Sequence, residues 1–252
     1  MHARNTTIAV AALAVALAAS LAPAPAVAQE IVAINDTQSL AGTSIHSWTK
    51  TDAAGNVIAL GVTFPAALLN ALPAETTETV LEIPRAARQT PFTHIAIDWN
   101  PKGHEPEAIY GLPHFDAHFY MITEPVRAAM TATGDDLKRV EMKPDPQVVP
   151  AGYVATPGGV PRMGAHWVDP ASPEFHGERF TQTFIYGFYD GRLAFAEPMF
   201  TRDYLLTKPH LEKPIAQPAV YPAGKRFPTG YVISYDAQAQ TYTIALTGFT
   251  AR

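Results

Sequence analysis

Residues 113–122, PHFDAHFYMI, hold the side chains of this sequence best suited to joint chemistry. Side chains alternate along an extended strand. His114, Asp116, His118 and Tyr120 therefore share one face, and Phe115, Ala117, Phe119 and Met121 share the other. Two imidazoles bracketing a carboxylate suit a divalent metal such as Zn, Fe or Mn. Spacing limits which of them can meet. Residues two apart on a strand are ~6.6 Å apart and residues four apart ~13 Å. His114 and Asp116 can converge on one ion, whereas His114 and His118 need a bulged or sharply coiled strand to do so. The expectation is two of the three as ligands and the third in support. Asp116 could alternatively orient a histidine through its ring N–H.

Further ligands must come from elsewhere in the chain. His166 and Glu197 are isolated polar groups in aromatic, apolar stretches, where a buried His or Glu needs a partner. His104 and Glu174 are additional candidates. The expected metal set is His114, Asp116, His118 and His166. A bound ion could lower the pKa of its water to ~7 and make a nucleophile. Glu197 or Glu174 would then serve as base, and Tyr120 or His104 as proton donor. A metal-free hydrogen-bonded ladder uses the same residues and stays open as an alternative. His46, His94, His176 and His210 are expected at the surface or in turns.

The elements that must position these groups read as strands. Residues 45–49 and 57–63 flank a turn, residues 79–83 and 94–99 are extended, and residues 114–122 form the ligand-bearing strand. Asp190-Gly191 between residues 181–189 and 192–196 is a strong hairpin signal. Residues 231–235 and 242–246 make a closing hairpin. Residues 65–72 and 125–132 read as short helices, the second stopped by Gly134. Residues 144–161 read as an ordered loop. The expected fold is mainly β: a single antiparallel β-sandwich or partly closed barrel with two or three short helices.

Composition narrows the classes. The 252 residues are 47% hydrophobic and 10% aromatic, too apolar for a disordered chain. There is no cysteine, which excludes disulfides, thiol nucleophiles and Cys-zinc sites. A net charge of −5 with no basic run argues against nucleic acid as a partner. No Gly-x-Ser-x-Gly elbow, phosphate-binding loop, His-Glu-x-x-His or dinucleotide fingerprint occurs. Residues 1–28 read as a signal peptide, with Arg4, an apolar stretch over 8–21 and Ala26-Val27-Ala28 before the cleavage point. Residues 29–252 are then one β-rich domain, exported to the periplasm or the medium, with no membrane span after cleavage.

Several strings carry a family resemblance. They are Asp98-Trp99-Asn100-Pro101-x-Gly103-His104-x-Pro106, Pro113-His114-Phe115-Asp116-x-His118-Phe119-Tyr120, Met163-Gly164-x-His166-Trp167, Tyr186-Gly187-Phe188-Tyr189-Asp190-Gly191 and Glu197-Pro198-Met199. From about residue 42 onward the chain resembles a family of exported bacterial proteins, a domain of unknown function typified by a Thermus protein under sigma-E control. The resemblance implies export, a shared fold and an envelope-stress setting. It brings no catalytic residues with it.

Three classes of function fit the residues. One is a metal-dependent enzyme hydrolysing or hydrating a small molecule. Another is a non-catalytic binder of a metal ion or small ligand, with Trp99, Tyr110, Phe115, Tyr120 and Trp167 near the same motifs. The third is a homo-oligomeric structural or stress protein whose His/Asp ladder is a hydrogen-bond network.

Overall fold

Every residue of the segment His114–Tyr120 is buried, on both faces of its strand. A strand in a two-layer sandwich buries one face only, so something covers this one from outside as well. The computed structural model that shows this describes residues 30–83 and 85–252. The proposed signal segment, residues 1–28, lies outside the described residues.

The chain opens with β1 (Ile31–Leu40), β2 (Thr43–Thr51), β3 (Val57–Pro65) and β4 (Thr77–Glu82). Next come β5 (His94–Asn100), the helical turn α1 (Glu107–Tyr110) and β6 (His114–Tyr120). Two short helices follow, α2 (Glu124–Ala128) and α3 (Gly134–Val140). The strands β7 (Val154–Ala155) and β8 (Ala165–Val168) lead to the hairpin of β9 (Gln182–Tyr189) and β10 (Arg192–Thr201). The helix α4 (Arg202–Leu206) precedes β11 (His210–Pro214), β12 (Arg226–Phe227), β13 (Gly230–Asp236), β14 (Thr241–Thr247) and β15 (Thr250–Ala251).

Two antiparallel sheets carry the fold, in the orders β1-β2-β3-β14-β13-β11 and β4-β5-β6-β10-β9-β8-β7. Among the described residues neither sheet closes on itself, so the architecture is sandwich-like and mainly β, as the sequence reading holds. Ile45, Leu60, Val62, Ile233 and Ile244 of the first sheet pack against Ile95, Ile97, Phe115, Phe119 and Phe200 of the second. Burying each such side chain contributes on the order of 2 kcal/mol.

The outer face of the second sheet carries two smaller apolar clusters. Met130, Ala132 and Val140 lie over Tyr120, Ala194 and Phe195 at one end. Tyr110 and Phe180 lie over Ile185 and Met199 at the other. The polar side chains of β6 sit on this covered face. That is why a polar face can be buried here.

The helices differ from expectation. Four short α-helices occur among the described residues, together with 3-10 turns, one of them at Ala66–Asn70 inside the stretch expected to be helical. Gly134 does not stop a helix: α2 ends at Ala128, and Gly134, at φ 57°, opens α3. The local reason is Asp136, whose Oδ2 accepts from the backbone N–H groups of Thr131 and Ala132 and so turns the chain. The loop expected over 144–161 contains a 3-10 turn and β7. The Asp190-Gly191 turn forms as read, with both residues at positive φ. Among the described residues no helix is long and apolar enough to cross a membrane.

Candidate metal centre

Strand register sets the geometry. On β5 and β6, Asp98 pairs with Asp116, Ala96 with His118 and Asn100 with His114. On the other side of β6, β10 pairs Phe195 with Tyr120 and Met199 with Asp116, which puts Glu197 opposite His118. The ladder is broken at that point, where Pro198 has no N–H to donate. Farther out, β8 places His166 opposite Gly187, and Gly187 faces Phe195.

A β-bulge decides which way Glu197 points. The β9–β10 register shifts between Leu193 and Phe195. Leu193 faces the inter-sheet core, while Ala194 and Phe195 both pack on the outer face. Strict alternation from Leu193 would send Glu197 into the apolar core. The extra residue reverses the phase and aims Glu197 at His118.

His118, His166 and Glu197 form one group, with a ligand atom from each lying within 4.8 Å of the others. His118 Nε2 is 3.4 Å and His166 Nε2 4.0 Å from Glu197 Oε2. The other ring nitrogen of His118 contacts Asp98 Oδ2 at 2.9 Å. Nδ1 thus faces the Asp98 carboxylate, and Nε2 is left facing Glu197, as a lone pair in the neutral form of the ring. His118 Nε2 and Glu197 Oε2 are both buried without a hydrogen-bond partner. Burial pushes the Glu197 carboxyl up, and His118⁺ pulls the other way. Burial would push His118 down, but the charge of Glu197 and the bond to Asp98 outweigh it and hold His118 up. His166 is pushed down to about 3 by burial and by the charge on His118, so its ring is neutral and able to coordinate.

Gly187 makes room for this group. A Cβ there would lie 1.9 Å from the Phe195 ring. That ring sits edge-on to His118 at 4.8 Å and to His166 at 5.1 Å between centroids.

A second group comprises His104, His114 and Asp116. Asp116 Oδ1 is 3.1 Å from His114 Nε2, and Asp116 Oδ2 is 3.4 Å from His104 Nε2. Both rings have Nδ1 pinned on a backbone carbonyl, His104 on Glu105 at 2.8 Å and His114 on Leu112 at 2.6 Å. A carbonyl only accepts, so Nδ1 carries the proton in each ring. Asn100 donates to Asp116 Oδ2 at 2.7 Å. Burial would raise Asp116, but the imidazoles of His104 and His114 beside it hold its carboxyl well below the usual range.

The structure thus divides the expected four-residue set. His114 and Asp116 meet, as their spacing allows, but with His104; His118 and His166 meet Glu197. Asp116 does not orient a histidine of its own strand through Nδ1; Asp98 does that for His118. Glu197, expected as a base beside a metal, stands among the would-be ligands. Tyr120 is buried between the rings of His94 at 4.8 Å and His118 at 5.4 Å, with the Arg127 guanidinium 4.4 Å from its ring centre. Burial pushes its hydroxyl far above the ordinary value, so it is a poor proton donor. Glu174 joins neither group; its carboxyl is buried 3.5 Å from the Tyr110 hydroxyl.

Sequence reading missed Asp98 and Asn100 as supports, and it placed His94 at the surface. His94 is buried on the same face of the sheet. The signal was present in HIAIDWN, where His94, Asp98 and Asn100 alternate with Ile95, Ile97 and Trp99 as on β6.

No curated protein and no solved structure matches the chain. The stretch matched by a family model includes Asp98 and stops short of the other residues of both groups. Over residues 52–99 the chain matches the TTHB210-like family, described as hypothetical protein TTHB210, which is the family that the sequence resembles.

Proposed function

We propose that the protein is an exported soluble protein of the periplasm or medium that binds a divalent transition metal (Zn, Fe or Mn) through His118, His166 and Glu197. One observation carries the reading: His118 Nε2 and Glu197 Oε2 are buried without partners and face each other at 3.4 Å. Two lone pairs buried face to face are costly unless a cation lies between them. A proton or a metal ion could fill that role, and the distance separates the two. A charge-assisted N–H···O bond runs about 2.7–2.9 Å. Ligand atoms 2.0–2.2 Å from a tetrahedral ion lie about 3.3–3.6 Å apart. The His118–Glu197 gap of 3.4 Å fits the metal, and His166, at 4.0 Å from the same oxygen, stands slightly farther out. The Asp98 contact to Nδ1 supports it too, since ligating histidines usually rest their other nitrogen on a carboxylate.

A second reading, metal-dependent hydrolysis or hydration of a small molecule, is favoured by the ligand count. Two histidines and a carboxylate leave a fourth tetrahedral position for water. Binding remains the better-supported reading. Two cavities, of about 180 and 250 Å³ beside Tyr153 and Phe180, are lined by none of the three ligands.

Elemental analysis of mature protein purified without chelator tests the proposal, with wild type beside His118→Ala and a His114/His118 double variant. Wild type should carry stoichiometric metal and the variants less. Metal-free wild type that unfolds identically with and without EDTA would sink it. N-terminal sequencing of secreted protein checks the export half; the expected first residue is Gln29.

A further inference from the structure

The His104, His114 and Asp116 group is complete without any residue of the centre just proposed. His114 is fully buried, its Nδ1 is fixed on the Leu112 carbonyl, and its Nε2 has no partner. Asp116 Oδ1, also buried and without a partner, lies 3.1 Å away. His104 closes the group from the other side of the carboxylate at 3.4 Å, its ring edge-on to His114. One ligand atom from each of the three residues lies within 4.8 Å of the others, and the 3.4 Å separation matches an edge of a tetrahedron about a first-row metal ion.

The two groups are neighbours but do not merge. Asp116 and His118 are successive residues on one face of β6, ~6.6 Å apart along the strand. Metal ions sharing a bridging ligand in two-metal enzymes stand about 3.5–4 Å apart. Two ions here would be held separately.

Their surroundings differ in a way that affects exchange. His118, His166 and Glu197 all project from strands of one sheet. His104 instead lies between β5 and α1, outside any strand, and its side chain is 39% exposed. A loop side chain facing water can swing off an ion without disturbing the sheet. The strand-borne histidines have no such freedom.

We infer that His104, His114 and Asp116 form a second divalent-metal site, independent of the His118 centre and fast to exchange with solvent. This extends the metal-binding reading, but the two sites stand or fall separately. His104 is the mobile ligand, and metal enters and leaves this site by its departure.

The test uses mature protein stripped of metal, reloaded with Zn²⁺, and mixed with a colorimetric zinc chelator. Wild type should release two equivalents in two phases. His104→Ala should lose the fast phase and keep the slow one, and His104→Gln should behave alike. The exposed position of His104 leaves the fold intact, which circular dichroism checks. His118→Ala should lose the slow phase alone. Release from His104→Ala identical to wild type would overturn the second site. Release from His118→Ala identical to wild type, with the fast phase lost in His104→Ala, would overturn the buried centre and leave this one standing.

Discussion

Asp98 reaches diagonally across the β5–β6 ladder to His118, its Oδ2 lying 2.9 Å from Nδ1, while its direct partner in register is Asp116. Diagonal neighbours in an antiparallel pair are within reach of side chains this long. The contact fixes the ring orientation and leaves Nε2 bare toward Glu197. Asp98→Ala should therefore weaken metal binding about 10–100-fold. Asp98→Asn keeps an acceptor but not the charge, and should fall between Ala and wild type. Competition titration against a zinc indicator gives the affinities; three equal values would refute the role.

His94 should make stability pH-dependent. Burial, and then the charge of Arg127, hold its pKa down at about 4 against an ordinary 6.5, although Glu124 Oε2 stands 3.3 Å from Nε2. Thr93 Oγ1 lies 3.0 Å from Nδ1, and the Tyr120 ring stacks on the imidazole. As pH falls from 6.5 toward 4, the unfolded chain takes up a proton at this residue and the folded one does not. Its contribution to stability is full above 6.5, declines through that window and levels off below about 4. Urea unfolding at pH 7, 5 and 4 should show wild type losing more stability than His94→Gln. Parallel losses would remove His94 as the cause.

Periodicity exposed most of the fold and about half of each site. The strands of β5, β6, β9, β10, β13 and β14 follow from alternation and from the Asp190-Gly191 turn, because those signals are local. The polar face of β6 was legible for the same reason. What alternation cannot convey is which distant strand supplies a partner. His166 and Glu197 stood out as isolated polar groups and His104 as an additional candidate, but the assignment of His104 and Glu197 to different groups depends on β6 lying between β5 and β10. The bulge at Leu193–Phe195 is also silent in the sequence, and it alone turns Glu197 toward His118. Strand β1 escaped notice because Asn35, Asp36, Thr37, Gln38 and Ser39 break its apolar pattern at a sheet edge.

Gly187 should tolerate no side chain. Its φ is unexceptional, so the constraint is space: a Cβ would fall 1.9–2.2 Å from three atoms of the Phe195 ring. Phe195 is fully buried and wedged against His118 and His166, so the ring can yield only by pushing the histidines apart. Gly187→Ala should cost about 1–3 kcal/mol in chemical denaturation and reduce metal affinity as well. Adding Phe195→Leu should restore part of both. Wild-type stability and affinity in Gly187→Ala would show that the ring moves freely.

Arg127 is the largest fully buried side chain and the only guanidinium among the described residues with no exposure. It pairs with Glu78, lies 3.2 Å from Glu124 and donates through Nε to the Arg162 carbonyl at 3.3 Å. Arg162 reaches the same two carboxylates, at 2.9 Å and 3.1 Å. The planar fork serves both acids and covers the Tyr120 ring together, which a lysine ammonium cannot do. Arg127→Lys should therefore destabilise by about 1–2 kcal/mol and Arg127→Met by about 3 kcal/mol, toward the low end for a broken buried pair because Glu78 and Glu124 keep contact with water. If like-charge repulsion causes the loss, Arg127→Met with Glu78→Gln should recover about 1 kcal/mol. Urea midpoints decide it. An unchanged midpoint in Arg127→Met would mean the network costs as much in desolvation as it returns in charge pairing. A loss that Glu78→Gln leaves untouched would put the stabilisation in the packing of the guanidinium on Tyr120, the ring that stacks on His118.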